Sequence, residues 1–519
     1  TSKMAATAAA AAAAGRYGKL WGRGHETLLE RRILSVKGQG ATTYLQGLLT
    51  CNLLQEPPIP RPEFNIVPGG DEESSQDVKF SPHLRATCFL DNKGRIVTDA
   101  LLWKRGVEEE EHEYLIDVPS NVADQLLQHL NSFKMRRSKV TIRDKSDTIS
   151  SHAVYGTLNA EGSPPGYLSA MDPRHPSLGM RVLNVGNDTE DATSVETKRK
   201  QFETLMSTHF PPASGTNEVI RKLAGVAEGQ EIMGRTALEC NQEFLNAVSF
   251  TKGCYLGQEL TARTQFKGVI RKRIMPMLLV DTDTEIPRPW ILASMIQDAY
   301  KAPDHKKKRP NMDKLKAELA KNPNAHPSDN DDDDDGQLEN LPLLPRISAP
   351  GAGGVVAMLM GSIMPLPLDD AAASPNTEVD EGLKVLQEQS ETLLEQVEEA
   401  AVVGAKIVDQ ADGKTIGQVV APPAPGTTVM LAQLRLDRVG LMDTANKWSR
   451  TNRVLVGTSK KELRYLPFLP LWWPRIDPTT GKELVIQEEV DTESETDDSY
   501  YEDDDGYEEE SSDTDTNEP

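Results

Sequence analysis

One cysteine lies in the part of the sequence that is richest in side chains capable of chemistry. Cys254 lies between Gly253 and Gly257, with Lys252 just before it and Gln258-Glu259 just after it. Glycines permit tight turns with positive φ, so this spacing predicts a thiol that projects from a loop. Nearby cations such as Lys252 favour the thiolate, the form that binds metals and attacks electrophiles. On the pattern alone, a buried cysteine that acts as a small apolar side chain is an equally good interpretation.

The number of cysteines limits the metal chemistry that the chain can carry out alone. The chain has four, Cys51, Cys88, Cys240 and Cys254, and no two of them form a C-x-x-C pair. They are too few for a disulfide-stabilised fold, and the sequence lacks the clustered thiolates of a self-contained iron–sulfur or structural zinc site. A reducing compartment is therefore expected.

The net charge of −23 is concentrated in two segments. Residues 488–519 contain 17 acidic and no basic side chains, and residues 329–335 contain six more acidic ones, which together equal the whole excess of acid over base. The rest of the chain is electroneutral, so bulk charge gives no indication of a nucleic-acid partner. The acidic tail, residues 487–519, is predicted to be disordered because its charges repel one another and it has few apolar side chains to bury.

The amino end and one internal stretch bear on targeting. Residues 1–24 combine an alanine run with four basic and no acidic side chains, which fits either the remnant of a mitochondrial transit peptide or a disordered leader. The longest uncharged stretch, residues 347–368, contains seven glycines and prolines, so no membrane span is predicted.

Alternating strand and helix patterns predict an α+β or α/β layer fold over the first half of the chain, and we expect the α+β class. The predicted elements are strands at 30–36, 85–90, 94–103, 114–118 and 140–143, helices at 42–49, 120–130 and 197–206, and a hairpin turn at 91–94. Further strands at 405–408, 415–420 and 429–436 predict a small β-barrel or sandwich. Residues 281–400 are interpreted as an insertion, in which only residues 379–401 show helical periodicity.

The octapeptide at residues 252–259, Lys-Gly-Cys-Tyr-Leu-Gly-Gln-Glu, followed by residues 268–273, resembles the signature of folate-binding proteins related to the aminomethyltransferase (T-protein) of the glycine cleavage system. The branch that it resembles most is that of the mitochondrial iron–sulfur cluster assembly factors. Stretches at 46–53, 90–101, 172–174, 225–229 and 412–417 support the resemblance in the same order along the chain. It covers about residues 28–280 and 402–440.

The resemblance implies three domains around a central channel, the last of them a C-terminal β-barrel. The expected boundaries are 25–150 and 151–277 for two α+β domains, with the octapeptide at the end of the second, and 278–486 for the barrel, interrupted by the insertion at 281–400.

The resemblance also implies a function, the assembly of [4Fe–4S] clusters in the mitochondrial matrix together with an A-type scaffold protein. Because one thiolate cannot hold a cluster alone, Cys254 is expected to supply one ligand to a [2Fe–2S] cluster shared with that partner. The residues that support the motif are Lys252, Gly253, Tyr255, Gly257, Gln258 and Glu259. We expect no nucleic-acid partner and a monomer when the chain is alone.

Tetrahydrofolate-dependent aminomethyl transfer is the alternative function, with Asp99, Arg181 and Arg221 as the predicted folate pocket. The T-protein has two adjacent aspartates where this chain has Thr98-Asp99. One carboxylate could still act as a base, but the loss of its neighbour argues against the transferase reaction. Asp99 as a polar residue at a strand end, and a non-catalytic interaction scaffold, remain open as well.

Overall fold

The structure, a computed structural model, describes residues 24–58, 81–106, 112–155, 165–175, 178–186, 194–207, 210, 212–281, 346–347, 392–424, 427–439, 453–457, 462–467, 469–470, 473–474, 476–477 and 479–483. All of them belong to one compact unit that ends at Glu483, and none belongs to the second unit, residues 484–519. The predicted leader up to residue 23, most of the predicted insertion and the acidic tail lie outside the described residues.

The described residues mix strands and helices. The strands are β1 (Gly24–Thr27), β2 (Arg31–Lys37), β3 (Leu84–Leu90), β4 (Ile96–Arg105), β5 (Glu113–Pro119), β6 (Thr141–Asp144), β7 (Ser150–Tyr155), β8 (Tyr167–Met171), β9 (Met180–Asn184), β10 (Lys272–Asp281), β11 (Arg346–Ile347), β12 (Lys406–Asp409), β13 (Thr415–Ala421), β14 (Val429–Arg435), β15 (Arg453–Val456), β16 (Leu463–Pro467) and β17 (Leu469–Pro470). The helices are α1 (Ala41–Gln46), α2 (Ser120–Ser132), α3 (Val195–Met206), α4 (Thr216–Leu223) and α5 (Gln258–Phe266), and residues 392–400 are helical too. The α+β class is therefore confirmed. None of the helices in this part of the chain is long and apolar enough to cross a membrane.

The first sheet has five antiparallel strands in the order β3-β4-β5-β2-β6. Helix α2 covers one face and buries Val122, Leu126 and Leu130 against side chains such as Leu34 and Ile116. The spacing of the three helix residues places them on one side of the helix, as the sequence predicts. The predicted hairpin between β3 and β4 is present as well, and its turn lies at one end of the sheet.

The second sheet has the order β1-β7-β9-β8. Strand β1 pairs antiparallel with β7, from Gly24 opposite Tyr155 to Thr27 opposite His152. Residues near both ends of the predicted first domain, 25–150, therefore belong to this sheet. Backbone pairing between strands far apart in sequence decides this boundary, and no local pattern reveals it.

Six strands close into a barrel in the order β10-β14-β13-β12-β15-β16. Strand β10 pairs with both β14 and β16, so the predicted boundary between residues 277 and 278 falls inside a strand. Met275, Met277 and Leu279 alternate into the core, where Val397 and Ala400 of the 392–400 helix also pack. The end of the predicted insertion is therefore part of the barrel core and not a surface excursion.

Candidate functional site

The loop that carries Cys254 lies against the chain that follows helix α1. The Ser249 amide donates to the Thr50 carbonyl over 2.9 Å, and the Leu256 amide donates to the Gly47 carbonyl over 2.9 Å. These backbone bonds hold the loop on both sides of the cysteine. Cys254 itself, between the two attachment points, is exposed.

Lys252 is the buried anchor of this loop. Its Nζ lies 2.8 Å from the carbonyl oxygen of Gln46, 2.6 Å from that of Leu49 and 2.9 Å from that of Cys51. An ammonium group has three N–H donors, so these three carbonyls use all of them. Burial lowers the pKa of Lys252 to about 8. The side chain therefore fastens the loop to the chain that follows helix α1.

The contacts of Lys252 give it a role in holding the loop. With its three donors occupied by carbonyls, the ammonium group has no N–H left to donate to Cys254. Instead, its Nζ lies 4.8 Å from the ring centre of Tyr255, in a cation–π contact. Burial raises the pKa of Tyr255 to about 12, so the phenol stays protonated at neutral pH. Lys252 and Tyr255, on either side of Cys254 within the motif, are thus in contact with each other.

Only one of the four cysteines is accessible. Cys51, Cys88 and Cys240 are buried, and burial raises the pKa of each of these thiols. Among the residues that the structure describes, which include all four cysteines, no group of three His, Cys, Asp or Glu side chains could hold a metal ion. A metal or cluster bound at Cys254 would therefore need ligands from outside this part of the chain.

The two glycines beside Cys254 have different roles. Gly257, which precedes α5, has φ +77°, and a Cβ there would lie 2.5 Å from the carbonyl oxygen of Asp91 in the β3–β4 turn. Gly253 has no positive φ and nothing within 4 Å of a Cβ. The positive φ expected in this loop is therefore present at Gly257 alone. Of the last two motif residues, Gln258 is half-buried and Glu259 is exposed.

Asp99 lies on β4 in a buried group of charges between the two sheets. Its Oδ1 accepts the Gly229 amide over 2.7 Å, and its Oδ2 is 4.0 Å from Nη1 of Arg174. Burial and the neighbouring Glu228 carboxylate raise the pKa of Asp99 to about 6. This carboxyl group can exchange a proton near neutral pH, which is a property that a general acid or base needs.

Arg181, on β9, joins the same group of charges. Its Nε lies 3.1 Å from Oδ2 of Asp172, and the same carboxylate is 2.7 Å from Nη2 of Arg174. The side chain of Arg181 is 1% exposed, yet its Nη1 and Nη2 have no hydrogen-bond partner among the described residues. Asp99 and Arg181 are therefore brought together through Arg174 and Asp172.

Arg221, the third predicted folate residue, is already neutralised. Its guanidinium lies 2.6 Å from Oε2 of Glu231 and 2.8 Å from Oε2 of Glu218, and it also donates to the carbonyl of Val226. These contacts occupy the side chain, so Arg221 is a structural residue next to the Asp99 group and has no free donor pair to offer a ligand carboxylate.

Sequence reasoning missed the residues that complete this group. Arg31, on β2, lies 2.6 Å from Asp117 and 2.9 Å from Glu228. Although burial opposes it, Arg174 and Arg31 lower the pKa of Glu228. The sequence could have pointed to two of them, because Arg174 and Glu228 lie in stretches that carry the family resemblance, 172–174 and 225–229.

Comparison with known proteins gives sequence relatives but no family model, since none matches the chain. The chain is 31% identical over 286 residues to the "Iron-sulfur cluster assembly factor IBA57 homolog, mitochondrial" of Aspergillus oryzae, covering 50% of this chain and 58% of that protein. It is 32% identical over 266 residues to the protein of the same name from Pyricularia oryzae, with the same coverage. The chain is similar to these assembly factors over about half of its length. The predicted resemblance is thereby confirmed.

The matches cover only part of each relative. The chain spans 58% of the length of these two curated relatives. Among solved structures, the glycine cleavage system aminomethyltransferase T from Bartonella henselae matches with a TM-score of 0.44 and 10% identity, over 90% of each chain.

Proposed function

We propose that this protein takes part in the assembly of iron–sulfur clusters in mitochondria, as an accessory factor in which Cys254 supplies one ligand to a cluster shared with a partner. The observation that carries the proposal is the presentation of this one thiol. Cys254 is the exposed cysteine, whereas the other three are buried. The cluster is cargo that passes through the site, and it is not a resident cofactor of the chain.

The metal-binding side chains of the described residues favour a cluster that is shared with a partner over a cluster that is held by this chain alone. Iron–sulfur clusters are usually held by four protein ligands, most often thiolates. The described residues offer one accessible thiol and no group of three metal-binding side chains. The remaining ligands would come from a partner, and we propose an A-type scaffold protein in that role.

The location is proposed from the relatives. The assembly factors from Aspergillus oryzae and Pyricularia oryzae carry "mitochondrial" in their names. The mitochondrial matrix is the compartment that we propose, and the four free cysteines fit a reducing compartment. We also propose that the two sheets and the barrel correspond to three domains of T-protein type around a central channel.

The decisive experiment mixes the full chain with an A-type scaffold protein under anaerobic conditions, adds iron and sulfide, and isolates the complex. We expect a visible absorption spectrum of a cluster in the complex with the parent chain. With Cys254→Ser the complex should lose the cluster, because the serine hydroxyl is a poor ligand for iron in this setting. Cys51→Ala, which removes a buried thiol, is the matched control and should keep the spectrum. A Cys254→Ser complex with the parent's spectrum would refute the proposal.

A tetrahydrofolate-dependent transferase is the second candidate, and two observations favour it. The Nη1 and Nη2 groups of Arg181 are buried without a partner in the described structure and would suit a carboxylate. The Asp99 carboxyl, with its pKa raised to about 6, would suit proton transfer near the same place. Bound tetrahydrofolate would supply the one-carbon carrier, and Arg181 and Asp99 would hold it.

The same preparation separates the candidates. The parent chain is incubated with tetrahydrofolate and an aminomethyl donor, with and without the scaffold partner. Turnover that survives Cys254→Ser would favour the transferase. Cluster formation without turnover would favour the assembly factor. If neither a cluster nor turnover is observed, the third interpretation, a non-catalytic interaction scaffold, is the one that remains.

A further inference from the structure

A short segment between α2 and β6, residues 133–139, combines exposed cations with exposed apolar side chains; we call it the basic turn. Its four cations, Lys134, Arg136, Arg137 and Lys139, are all exposed. Phe133 is 37% exposed and Met135 is 54% exposed, so two apolar side chains stand among the four charges. The segment lies on the first sheet and contains none of the residues of the Cys254 loop or of the Asp99 group.

The cations of the basic turn are not neutralised by the part of the chain that the structure describes. No described carboxylate forms an ion pair with any of the four. The Nζ of Lys139 donates to the neutral amide oxygen of Gln39 over 3.1 Å. The carboxylates of Asp124 and Asp144, on the adjacent α2 and β6, are both paired with Arg32.

The basic turn packs closely on the chain beneath it. A Cβ on Gly38 would lie 2.3 Å from the carbonyl oxygen of Lys139, and a Cβ on Gly40 would lie 2.0 Å from that of Ser138. Lys139 has φ +48°, which is uncommon outside glycine and costs energy. Two glycines thus allow the close approach of the basic turn to residues 38–40.

We propose that the basic turn binds the surface of a membrane rich in anionic phospholipid, with the folded chain attached at the surface and not inserted through it. Peripheral attachment of this kind combines cations that contact lipid phosphates with apolar side chains that enter the headgroup region. The four cations would meet the phosphates, and Met135 and Phe133 would enter between the headgroups. A purely polyanionic partner would use the charges but would leave both apolar side chains in water.

The net charge of the protein does not prevent this. Charges separated by more than about 8 Å are largely screened at physiological ionic strength, so a local group of four cations can act against a negative total. Each cation near an anionic surface strengthens binding by a factor of about five. Removing two of them should therefore weaken binding by a factor of about 25, which a sedimentation experiment resolves easily.

The test is co-sedimentation of the full chain with vesicles of phosphatidylcholine alone and of phosphatidylcholine mixed with phosphatidylglycerol. We expect binding to the mixed vesicles alone. Arg136→Gln/Arg137→Gln should lose most of it, whereas Lys200→Gln/Lys406→Gln, which removes the same charge from exposed positions on α3 and β12, should retain it. Met135→Gln keeps every charge and should still weaken binding several-fold. All these positions are exposed, so the variants are expected to fold.

Three results would overturn the proposal. One is equal binding to both vesicle types, and another is equal loss in the two double variants. The third combines two observations. Met135→Gln would bind the mixed vesicles as tightly as the parent, and the parent would bind RNA or polyglutamate as strongly as the vesicles, in a way that depends on Arg136 and Arg137. That outcome would assign the basic turn to a soluble polyanion.

Discussion

At the scale of single residues, Asp99 and Glu228 show how the same buried surroundings treat two carboxyl groups differently. Glu228 contacts Arg31 and Arg174 directly and its pKa is lowered, although burial opposes this. Asp99 accepts one backbone amide, and its nearest cation is 4.0 Å away. Its pKa is therefore raised to about 6 by burial and by the charge of Glu228. Glu228 is the structural ion of the pair, and Asp99 is the one that can gain a proton.

This difference predicts how stability depends on pH in Asp99→Asn. A folded-state pKa above the unfolded value means that the parent gains stability from this group as the pH falls through about 6 and toward 4. The variant cannot titrate there and lacks that gain. The free energy of unfolding of the variant, minus that of the parent, should therefore fall by about 2–3 kcal/mol between about pH 7 and pH 4.

Urea unfolding at several pH values, followed by tryptophan fluorescence, measures this difference. Asp124→Asn is the control for removing a carboxylate, because the side chain of Asp124 is exposed. A difference between Asp99→Asn and the parent that stays constant with pH would contradict the raised pKa.

At the scale of elements, the loop at residues 247–257 has two fixed points and one free side chain between them. Lys252 fastens the loop to the chain after α1, and Gly257 packs on the β3–β4 turn. The ammonium–carbonyl contacts and the close backbone approach leave Cys254 exposed on a short, doubly anchored span. A thiol held in this way would lose little further freedom on becoming a ligand, which would favour the binding that we propose.

The two motif glycines give a matched pair for testing this. Gly257→Ala should lower the free energy of unfolding by about 2 kcal/mol or more, because the new methyl group would lie 2.5 Å from the Asp91 carbonyl in a residue with φ +77°. Gly253→Ala should change it little, since nothing lies within 4 Å of its Cβ. Thermal unfolding of the two variants checks this, and equal melting temperatures would contradict the packing.

Elements decided by local pattern were predictable from the sequence, and those decided by distant pairing were not. Helix α2 and the β3–β4 hairpin follow from apolar spacing and from turn residues within a few positions. The pairing of β1 with β7 joins residues more than a hundred positions apart, and the start of the barrel at β10 depends on closure with β16. The same holds for the candidate sites. Cys254 could be predicted from the residues next to it in sequence, whereas the partners of Asp99 are distant in sequence and could not be predicted in this way.

At the scale of the whole molecule, Arg273 joins parts of the chain that are far apart in sequence. The side chain is fully buried, and its Cζ lies 4.2 Å from the ring centre of Phe244. Its Nη2 is 2.8 Å from Oε1 of Glu243, and its other nitrogens donate to the carbonyls of Leu238 and Gly481. Strand β10 is thereby tied both to the segment before the Cys254 loop and to the end of the compact unit.

Arg273→Met should therefore destabilise the compact unit as a whole. It would leave the Glu243 carboxyl buried without its cation, and breaking a buried pair in this way costs about 3–5 kcal/mol. Burial already raises the pKa of Glu243, so the loss should be smaller at acid pH, where that carboxyl is protonated. Arg273→Met/Glu243→Gln should recover part of the stability at neutral pH, because it removes the unpaired charge. Arg271→Met, at an exposed neighbouring position, is the control. Urea unfolding followed by tryptophan fluorescence measures all four proteins, and an unchanged midpoint for Arg273→Met would show that the barrel and the 238–244 segment are held together by other contacts.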